Sequence, residues 1–432
     1  MNSLHNNPVQ TFKLTNGLTL LLKEIHTVPI ISQWVWYRVG SRNEVPGKTG
    51  ISHFVEHIQF KGTPKYPIQK LDHAISRDGG IWNAMTYLDW TTYFETMPAK
   101  NIDLSLELEA DRMISSSFNR EDIDAERTVI ISELEGNENE PLFRLGEAVQ
   151  KSAFHLHPYH HEVIGELEDL KALSREDLNQ YYHTYYSPSN AVIAIAGDFQ
   201  TESMLKRLTE LYDSVPSAPT PISSIIMDKP LNKEERVLIE GPGETTYLQL
   251  SYRAPQANQR DFFILTVLDS IFTGPSSLNM FGGGGVSNKT SRLYQNLVEK
   301  DMAVSVSGGL SATIDPFLFD ISITLNPVRE IEEVLQATDD EIMKMMNQKV
   351  NSAEIHRATK QAKALFAYGS ENITNQAFWM GYSSMFADYH WFENYISSLE
   401  SVSEDEILAT AQKYLSPDRR VVGIYQPAEG RN

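Results

Sequence analysis

Cysteine is absent from the 432-residue chain. This absence excludes disulfide bonds, Cys-ligated zinc and thiol nucleophiles, so a metal site would have to use histidine and carboxylate ligands. Long apolar runs are also absent: no stretch reaches the about 18 residues that predict a transmembrane helix. The polar segment 1–10 has neither the regions of a signal peptide nor an Arg-rich presequence, so the sequence as written predicts a cytoplasmic protein without a membrane partner.

Positive charge is scarce, since 37 Lys and Arg face 57 Asp and Glu, which gives a net charge of −20. A protein that neutralises phosphates needs a basic face, so this balance argues against a nucleic-acid partner. The acidic surface is interpreted either as a source of solubility, which is slightly favoured, or as a field that attracts cationic partners such as basic peptides. The length and the 41% hydrophobic content predict two or three globular domains.

An internal repeat organises the chain. Residues 174–195 recur at 403–424, shifted by 229 residues without a gap. Each copy has a serine with a carboxylate three residues later, which is a helix-capping pattern, followed by a helix that ends at a tyrosine, a Ser-Pro turn and a buried strand. The sequence therefore predicts two copies of one unit.

The boundary between the copies is predicted in a Pro- and Ser-rich stretch. We expect an N-terminal domain of residues 1–215, a linker of residues 216–232 and a C-terminal domain of residues 233–432. Both halves begin with strand and hairpin signals and continue with helical patterns, without βαβ crossovers. The predicted fold class is α+β, with two homologous domains that are each an antiparallel β-sheet packed with α-helices.

Residues 50–60 carry the main chemical signal. At about 100° per residue, the apolar side chains of this segment fall on one face of a helix, while His53, Glu56 and His57 project from the other. Because His53 and His57 are four residues apart, both imidazoles can reach one metal ion, and Glu56 can reach a water at that ion. Two histidines alone leave open a solvated helix face that carries them by chance.

A catalytic zinc needs three protein ligands and an open position. Glu126 and Glu133 are seven residues apart, which is two helical turns, and they share a face with Val129 and Ile130. A carboxylate in an apolar stripe is costly to bury unless it is paired or bound to a metal, so this pair offers a third ligand. The alternative is that both are ordinary surface acids in a segment rich in them.

The His-x-x-Glu-His order is the inverzincin signature. With its flanks, residues 50–57 and Phe60-Lys61-Gly62-Thr63, the segment resembles the M16 peptidases, which include mitochondrial processing peptidase, pitrilysin and insulin-degrading enzyme. In that family a Glu follows roughly 75 residues after the second His. Here residues 58–132, 75 in number, separate His57 from Glu133, and the family's second Glu, seven residues earlier, matches Glu126.

The resemblance implies the roles of these side chains. His53, His57 and Glu133 would hold one Zn²⁺ per chain, and Glu56 would act as the base that activates water. Glu126 would be a second carboxylate that orients a ligand or tunes the site.

Matches in residues 79–93 and 157–165 extend the resemblance over the chain. They imply an M16/LuxS-like metallohydrolase fold and a peptide substrate bound as an added strand along Asn83, Ala84 and Met85. The length and the two similar halves resemble the short, processing-peptidase-like subfamily M16B, whose members assemble as dimers.

The C-terminal half departs from the family pattern. Active members have an Arg and a Tyr that reach the substrate at the zinc site, whereas this chain has Val298 and Val304 at those positions, with one residue missing between them. We favour a heterodimer in which a second M16 subunit provides the Arg/Tyr pair, and a homodimer that works weakly without the pair is the alternative. The insertion 273–290 contains Gly282–Gly285, which is interpreted as a substrate-touching loop or, slightly preferred, as a disordered insertion.

The leading hypothesis is a zinc-dependent endopeptidase that cleaves extended peptides or unfolded segments inside a dimeric chamber. A structural or partner-binding M16-like subunit with little activity of its own is the second hypothesis, although such subunits typically carry a broken zinc motif. A metal-binding protein without catalysis is the third, and it would leave Glu56 without a purpose.

Overall fold

The computed structural model describes residues 8–67, 74–217, 219, 225–275 and 286–428. The strands are β1 (Gln10–Lys13), β2 (Thr19–Glu24), β3 (Ile30–Tyr37), β4 (Ile81–Thr86), β5 (Thr91–Pro98), β6 (Ala191–Gly197), β7 (Glu235–Gly241), β8 (Tyr247–Arg253), β9 (Ala303–Leu310), β10 (Leu318–Leu325) and β11 (Arg420–Pro427). The α-helices with described bounds are α1 (Ile51–Gln59), α2 (Ile102–Ser115), α3 (Arg120–Asn137), α4 (Pro141–Ala153), α5 (Leu167–Ala172), α6 (Arg175–Tyr185), α7 (Thr201–Tyr212), α8 (Arg260–Phe272), α9 (Ile331–Asn347), α10 (Ser352–Gly369), α11 (Ile373–Phe386), α12 (Tyr389–Glu393), α13 (Tyr395–Glu400) and α14 (Glu404–Tyr414).

Two mixed sheets form the framework. The first has the strand order β1-β2-β6-β3-β5-β4, and the second has the order β7-β11-β8-β10-β9. All neighbouring strands are antiparallel except β2 with β6 and β7 with β11. The predicted fold class is confirmed with this one difference, a parallel pair in each sheet. The pair arises because β6 and β11 each enter the sheet after a helix rather than through a hairpin.

The predicted repeat is confirmed in the structure. Ser174 and Ser403 cap α6 and α14 with their hydroxyl groups, which accept the backbone N–H of Asp177 and Glu406. In each case the carboxylate returns a hydrogen bond to the backbone N–H of the serine, which completes a capping box. A short 3₁₀ turn then leads into the buried strands β6 and β11.

The described chain forms two compact units that are discontinuous in sequence. The first comprises Met1–Leu134, His161–Ile225 and Ser370–Phe392, and the second comprises Glu135–His160, Ile226–Gly369 and Glu393–Asn432. These units differ from the predicted division at 216–232, which follows the sequence repeat and stays a prediction.

Each sheet is covered by a helix from the opposite half of the sequence, which explains the discontinuous units. Helix α4 packs on β7, β8 and β11, and helix α11 packs on β3 and β6. In the first unit the Phe378 ring lies 5.3 Å from the Trp34 ring, and a Cβ on Gly381 would come within 2.0 Å of Trp36 Nε1. The aromatic layer between α11 and β3 therefore depends on glycine at position 381.

No helix among the described residues combines the length and the apolar character needed to cross a membrane.

A buried charge cluster lies between β5 and α2. Arg112 Nη1 is 2.5 Å from Glu109 Oε1 and 4.0 Å from Glu95 Oε1, and the three side chains are almost completely buried. The guanidinium also lies 4.7 Å from the centre of the Tyr93 ring and 5.7 Å from that of Trp82. Burial and the neighbouring Glu109 raise the pKa of Glu95 well above its usual value. Arg112 therefore pairs directly with Glu109, and the raised pKa of Glu95 favours the protonated form of its carboxyl group.

Glu95→Gln should flatten the pH dependence of stability. In the wild type the folded state holds a proton on Glu95, whereas the unfolded chain releases that proton above the ordinary pKa of glutamate, about 4.3. The stability of the wild type therefore falls as the pH rises from that value, by at most about 1.4 kcal/mol per pH unit. Glutamine cannot ionise, so the stability of the variant relative to wild type should be higher near pH 8 than near pH 5. Thermal unfolding at the two pH values measures this difference.

Glu107→Gln is the control, because hydrogen bonds from Tyr66 and Lys65 lower the pKa of Glu107 to about 2. This half-buried carboxylate stabilises the protein above the unfolded pKa, so its variant should show a small change of the opposite sign. A Glu95→Gln variant that loses more stability near pH 8 than near pH 5 would contradict the proton assignment.

Candidate metal centre

Helix α1 is held at its N-terminus by a side chain from outside the helix. The Glu44 carboxylate accepts the backbone N–H of Gly50 at 2.8 Å and that of Ser52 at 2.9 Å. Gly50 has a φ of 79°, and a Cβ there would come within 2.4 Å of the Ile164 carbonyl oxygen. The two hydrogen bonds from Glu44 fix the start of α1. Position 50 requires glycine, because glycine adopts this positive φ without strain and has no Cβ to clash with the Ile164 carbonyl.

The two faces of α1 divide as the sequence predicts. Ile51, Phe54, Val55 and Ile58 are buried in the core. His53, Glu56 and His57 share the other face, and the two histidines contact helix α3 there. The period of the helix thus places both imidazoles and the intervening carboxyl group together.

Helix α3 completes a three-residue group with these histidines. The Nε2 atoms of His53 and His57 are 3.2 Å apart, and the Glu133 carboxylate oxygens lie 4.0 Å from the first and 3.8 Å from the second. The donors around a tetrahedral zinc with bonds of about 2.1 Å are about 3.4 Å apart. The three side chains are therefore spaced to hold one ion, and they form a possible metal-binding group among the described residues.

The chemistry of the donors also fits zinc. Burial and the adjacent His57 lower the pKa of His53 to about 3, so its imidazole is neutral and has a free lone pair. The Nδ1 atom of His53 is buried and has no hydrogen-bond partner among the described residues, while Nε2 faces the other donors. Two imidazoles and a carboxylate are a donor set that catalytic zinc sites use.

Glu126 contacts a histidine from the side away from the other donors. Its Oε1 accepts His57 Nδ1–H at 2.8 Å, and its Oε2 accepts a hydrogen bond from Lys61 Nζ. Burial opposes ionisation of Glu126, but these two contacts outweigh it and lower its pKa. Burial disfavours the protonated form of His57. The Glu126 hydrogen bond and the nearby carboxylates outweigh this effect of burial, so the pKa of His57 is raised. Glu126 therefore orients His57 rather than joining the donor group.

Glu56 is buried beside the donor group. Thr86, at the end of β4, donates its hydroxyl hydrogen to Glu56 Oε2 at 2.7 Å. Burial raises the pKa of Glu56, although the Thr86 hydrogen bond partly opposes that shift. A carboxyl group with a raised pKa and a fixed orientation is suited to accept and return a proton near neutral pH.

The predicted substrate-binding residues lie on an edge strand of the first sheet. Asn83, Ala84 and Met85 belong to β4, the edge strand of the first sheet. The backbone N–H of Ala84 donates to the Asn83 side-chain oxygen at 2.9 Å. This N–H is available to an added strand once the Asn83 side chain turns away. The binding role stays a prediction.

Sequence reasoning missed three contacts around the group, made by Glu44, Lys61 and Thr86. Lys61 and Thr86 lie in segments that resembled M16 peptidases, but no spacing rule predicts that they reach Glu126 and Glu56. Glu44 precedes α1 by a loop, so helical periodicity does not reveal it.

Comparison with known proteins identifies the family. The model described as "Insulinase (Peptidase family M16)" matches residues 19–166, and the one described as "Peptidase M16 inactive domain" matches residues 172–362. The chain belongs to the M16 peptidase family. All members of the donor group lie in the segment matched by the first model.

Relatives of this M16 protein carry protease names. "Uncharacterized zinc protease YmxG" of Bacillus subtilis is 24% identical over 414 residues, 95% of this chain and 96% of the relative. "Zinc protease PqqE" of Helicobacter pylori is 27% identical over 390 residues, 88% of this chain and 83% of the relative. These names and the His-His-Glu group favour zinc as the metal.

Solved structures show the same fold. A protease from Helicobacter pylori matches 98% of this chain and 100% of its own, with a TM-score of 0.89 and 24% identity. A structure from Pseudomonas fluorescens, described as peptidase M16 inactive domain, matches 98% of this chain and 99% of its own, with a TM-score of 0.87 and 16% identity. The two-domain M16 architecture is therefore common to these proteins.

The second unit of the M16 protein carries the two valines of the departure. Val298 ends a short π-helical turn, Tyr294–Val298, and Val304 lies on the edge strand β9, where 62% of the residue is exposed. Neither side chain has a hydrogen-bond donor. Gly282–Gly285 lies outside the described residues.

Glu133→Ala should abolish tight zinc binding, because it removes the only carboxylate from the three-donor group. The loss of zinc affinity should exceed the about 10- to 100-fold loss that is typical when a residue that only contacts a metal ligand is replaced. Glu135→Ala, an exposed acid on the same helix, is the matched control and should bind zinc like the wild type. Competition with a chromophoric chelator measures both affinities, and equal affinities would exclude Glu133 as a ligand.

Proposed function

We propose that this M16 protein is a zinc-dependent endopeptidase. The observation that carries the proposal is the meeting of His53, His57 and Glu133 beside the buried Glu56. One Zn²⁺ per chain would be bound by the first three side chains. Three protein donors leave a fourth position for water or substrate, as in catalytic rather than structural zinc sites.

The residues of the chain then have distinct roles. Zinc, when bound, would act as a Lewis acid on the scissile carbonyl and make water more acidic. Glu56 takes the proton from the attacking water and returns it to the departing amine. Thr86 holds the Glu56 carboxyl group in one orientation, and Glu126 holds the His57 ring.

The substrate is an extended peptide or an unfolded segment. Strand β4 would pair with it through backbone groups, with Asn83, Ala84 and Met85 at the contact. Backbone pairing tolerates many side chains, which fits an enzyme of broad specificity. The −20 charge of the chain would favour approach of cationic peptides.

The active assembly is proposed to be a heterodimer of the M16B type that encloses its substrate in a chamber. Val298 and Val304 cannot stabilise a developing oxyanion, so a second M16 subunit would contribute the Arg/Tyr pair. A homodimer is the alternative. A relative from Arabidopsis thaliana, 27% identical over 353 residues that cover 81% of this chain and 65% of the relative, is named "Probable mitochondrial-processing peptidase subunit beta, mitochondrial". The cytoplasmic location stays a prediction.

A second candidate function is a partner-binding M16-like subunit with little activity of its own. Val298 and Val304, which stand in place of the Arg/Tyr pair, favour this second function. The intact donor group and the buried Glu56 favour the enzyme, because a purely structural subunit gains nothing from a buried carboxyl group beside two imidazoles.

Glu56→Gln should separate metal binding from catalysis. Glutamine preserves the size of the side chain and a hydrogen bond with Thr86 but cannot accept a proton, so the variant should retain zinc and lose cleavage by about 100-fold or more. Cleavage of an unstructured peptide, with and without a chelator, measures the effect. Wild-type cleavage rates in the variant would exclude Glu56 as the base.

Mixing experiments test the assembly. The purified chain alone should cleave slowly, and a second M16 chain that carries the Arg/Tyr pair but lacks the zinc motif should raise kcat. The expected gain is about 100-fold, the scale of one oxyanion donor. Full activity of the isolated chain, unchanged by such a partner, would rule out the heterodimer while leaving the peptidase assignment intact.

A further inference from the structure

The turn after helix α1 places the side chain of Lys61 next to the candidate metal centre. The backbone N–H of Phe60 donates to the His57 carbonyl at 3.1 Å, and that of Lys61 donates to the Ile58 carbonyl at 2.9 Å. Gly62 follows with a φ of 85°, a conformation that ends the helix and that glycine adopts without strain. Lys61 is thus held close to the last turn of α1, on the side that faces α3.

Lys61 makes an ion pair with the outer carboxylate of the centre. Its Nζ donates to Glu126 Oε2, while Glu126 Oε1 accepts His57 Nδ1–H at 2.8 Å. The side chains of Lys61 and Glu126 are 23% and 10% exposed, so solvent screens this pair less than a surface pair. The three groups form a continuous chain from Lys61 through Glu126 to the His57 ring.

We propose that Lys61 is a positioning residue of the zinc site, which acts by fixing the Glu126 carboxylate against His57. A carboxylate held on both oxygens has one orientation, and so has the imidazole that donates to it. The Nε2 atom of His57 is then presented to the ion without further loss of side-chain freedom on binding. The inference rests on the proposed zinc site and extends it to a residue outside the donor group.

A purely electrostatic role for Lys61 predicts the opposite result. A positive charge near a divalent cation repels it, so removing that charge would strengthen zinc binding if nothing else changed. Positioning through Glu126 predicts that removal weakens zinc binding. The sign of the change therefore decides between the two roles.

Lys65 provides a matched control within the same loop. Its Nζ pairs with Glu107 at 2.9 Å, and 56% of its side chain is exposed. The structure connects Lys65 with α2 rather than with Glu126 or His57. Loss of this lysine removes the same charge but leaves the chain of contacts to the metal centre intact.

The test measures zinc affinity of the full chain at one fixed pH by competition with a chromophoric chelator. Lys61→Met should weaken binding by about 10-fold, the lower end of the range for outer-shell partners. Lys61→Arg, which keeps the charge and can reach Glu126, should bind nearly as wild type does, as should Lys65→Met. Thermal unfolding of the metal-free proteins shows whether each variant is folded, and Lys61→Gln replaces Lys61→Met if the latter is not.

A double-mutant comparison shows whether Lys61 acts through Glu126. Glu126→Gln should weaken zinc binding, and adding Lys61→Met to it should weaken binding little further, because the lysine then has no carboxylate to hold. Unchanged or tighter zinc binding by Lys61→Met, or an equal loss in both backgrounds, would overturn the inference while the proposed function stands. Absence of zinc binding by the wild type would overturn both.

Discussion

The site depends on the side-chain contacts between α1 and α3, which bring two imidazoles and three carboxyl groups into one partly buried region. Such groups lose hydration when they are buried, and each needs a partner that compensates for the loss. Glu126 is compensated by His57 and Lys61, and Glu56 by Thr86 and by its raised pKa. A cation bound between His53, His57 and Glu133 would compensate the inward faces of these side chains.

The rest of the first unit holds these two helices in place. Glu44 anchors the start of α1, and the turn at Gly62 ends it. The inner end of α1 rests on the sheet, where Gln59 donates a hydrogen bond to the Tyr93 hydroxyl at 2.8 Å. Arg112 packs on the rings of Tyr93 and Trp82, which belong to β5 and β4. The charge cluster therefore supports the part of the sheet that ends at the β4 edge. Helix α1 and the sheet with its β4 edge are therefore one packed structure.

Much of this arrangement could be predicted from local patterns in the sequence. The helical period placed His53, Glu56 and His57 on one face, and the repeat with its Ser caps predicted α6, α14 and the strands that follow them. Glu133 needed the resemblance to a family, because no local rule determines how a distant helix crosses α1. The exchange of α4 and α11 between the halves could not be predicted, since it depends on aromatic packing between residues such as Trp34 and Phe378 that are far apart in sequence. The contacts of Glu44, Lys61 and Thr86 were missed for the same reason.

X-ray absorption spectroscopy of the zinc-loaded wild-type protein tests the central claim most directly. The account predicts a four-coordinate ion with two imidazole nitrogens and two oxygens, one from a carboxylate and one from solvent, at about 2.0–2.2 Å. A first shell made only of oxygen atoms, or one with a single imidazole, would contradict the convergence of His53, His57 and Glu133 on one metal ion.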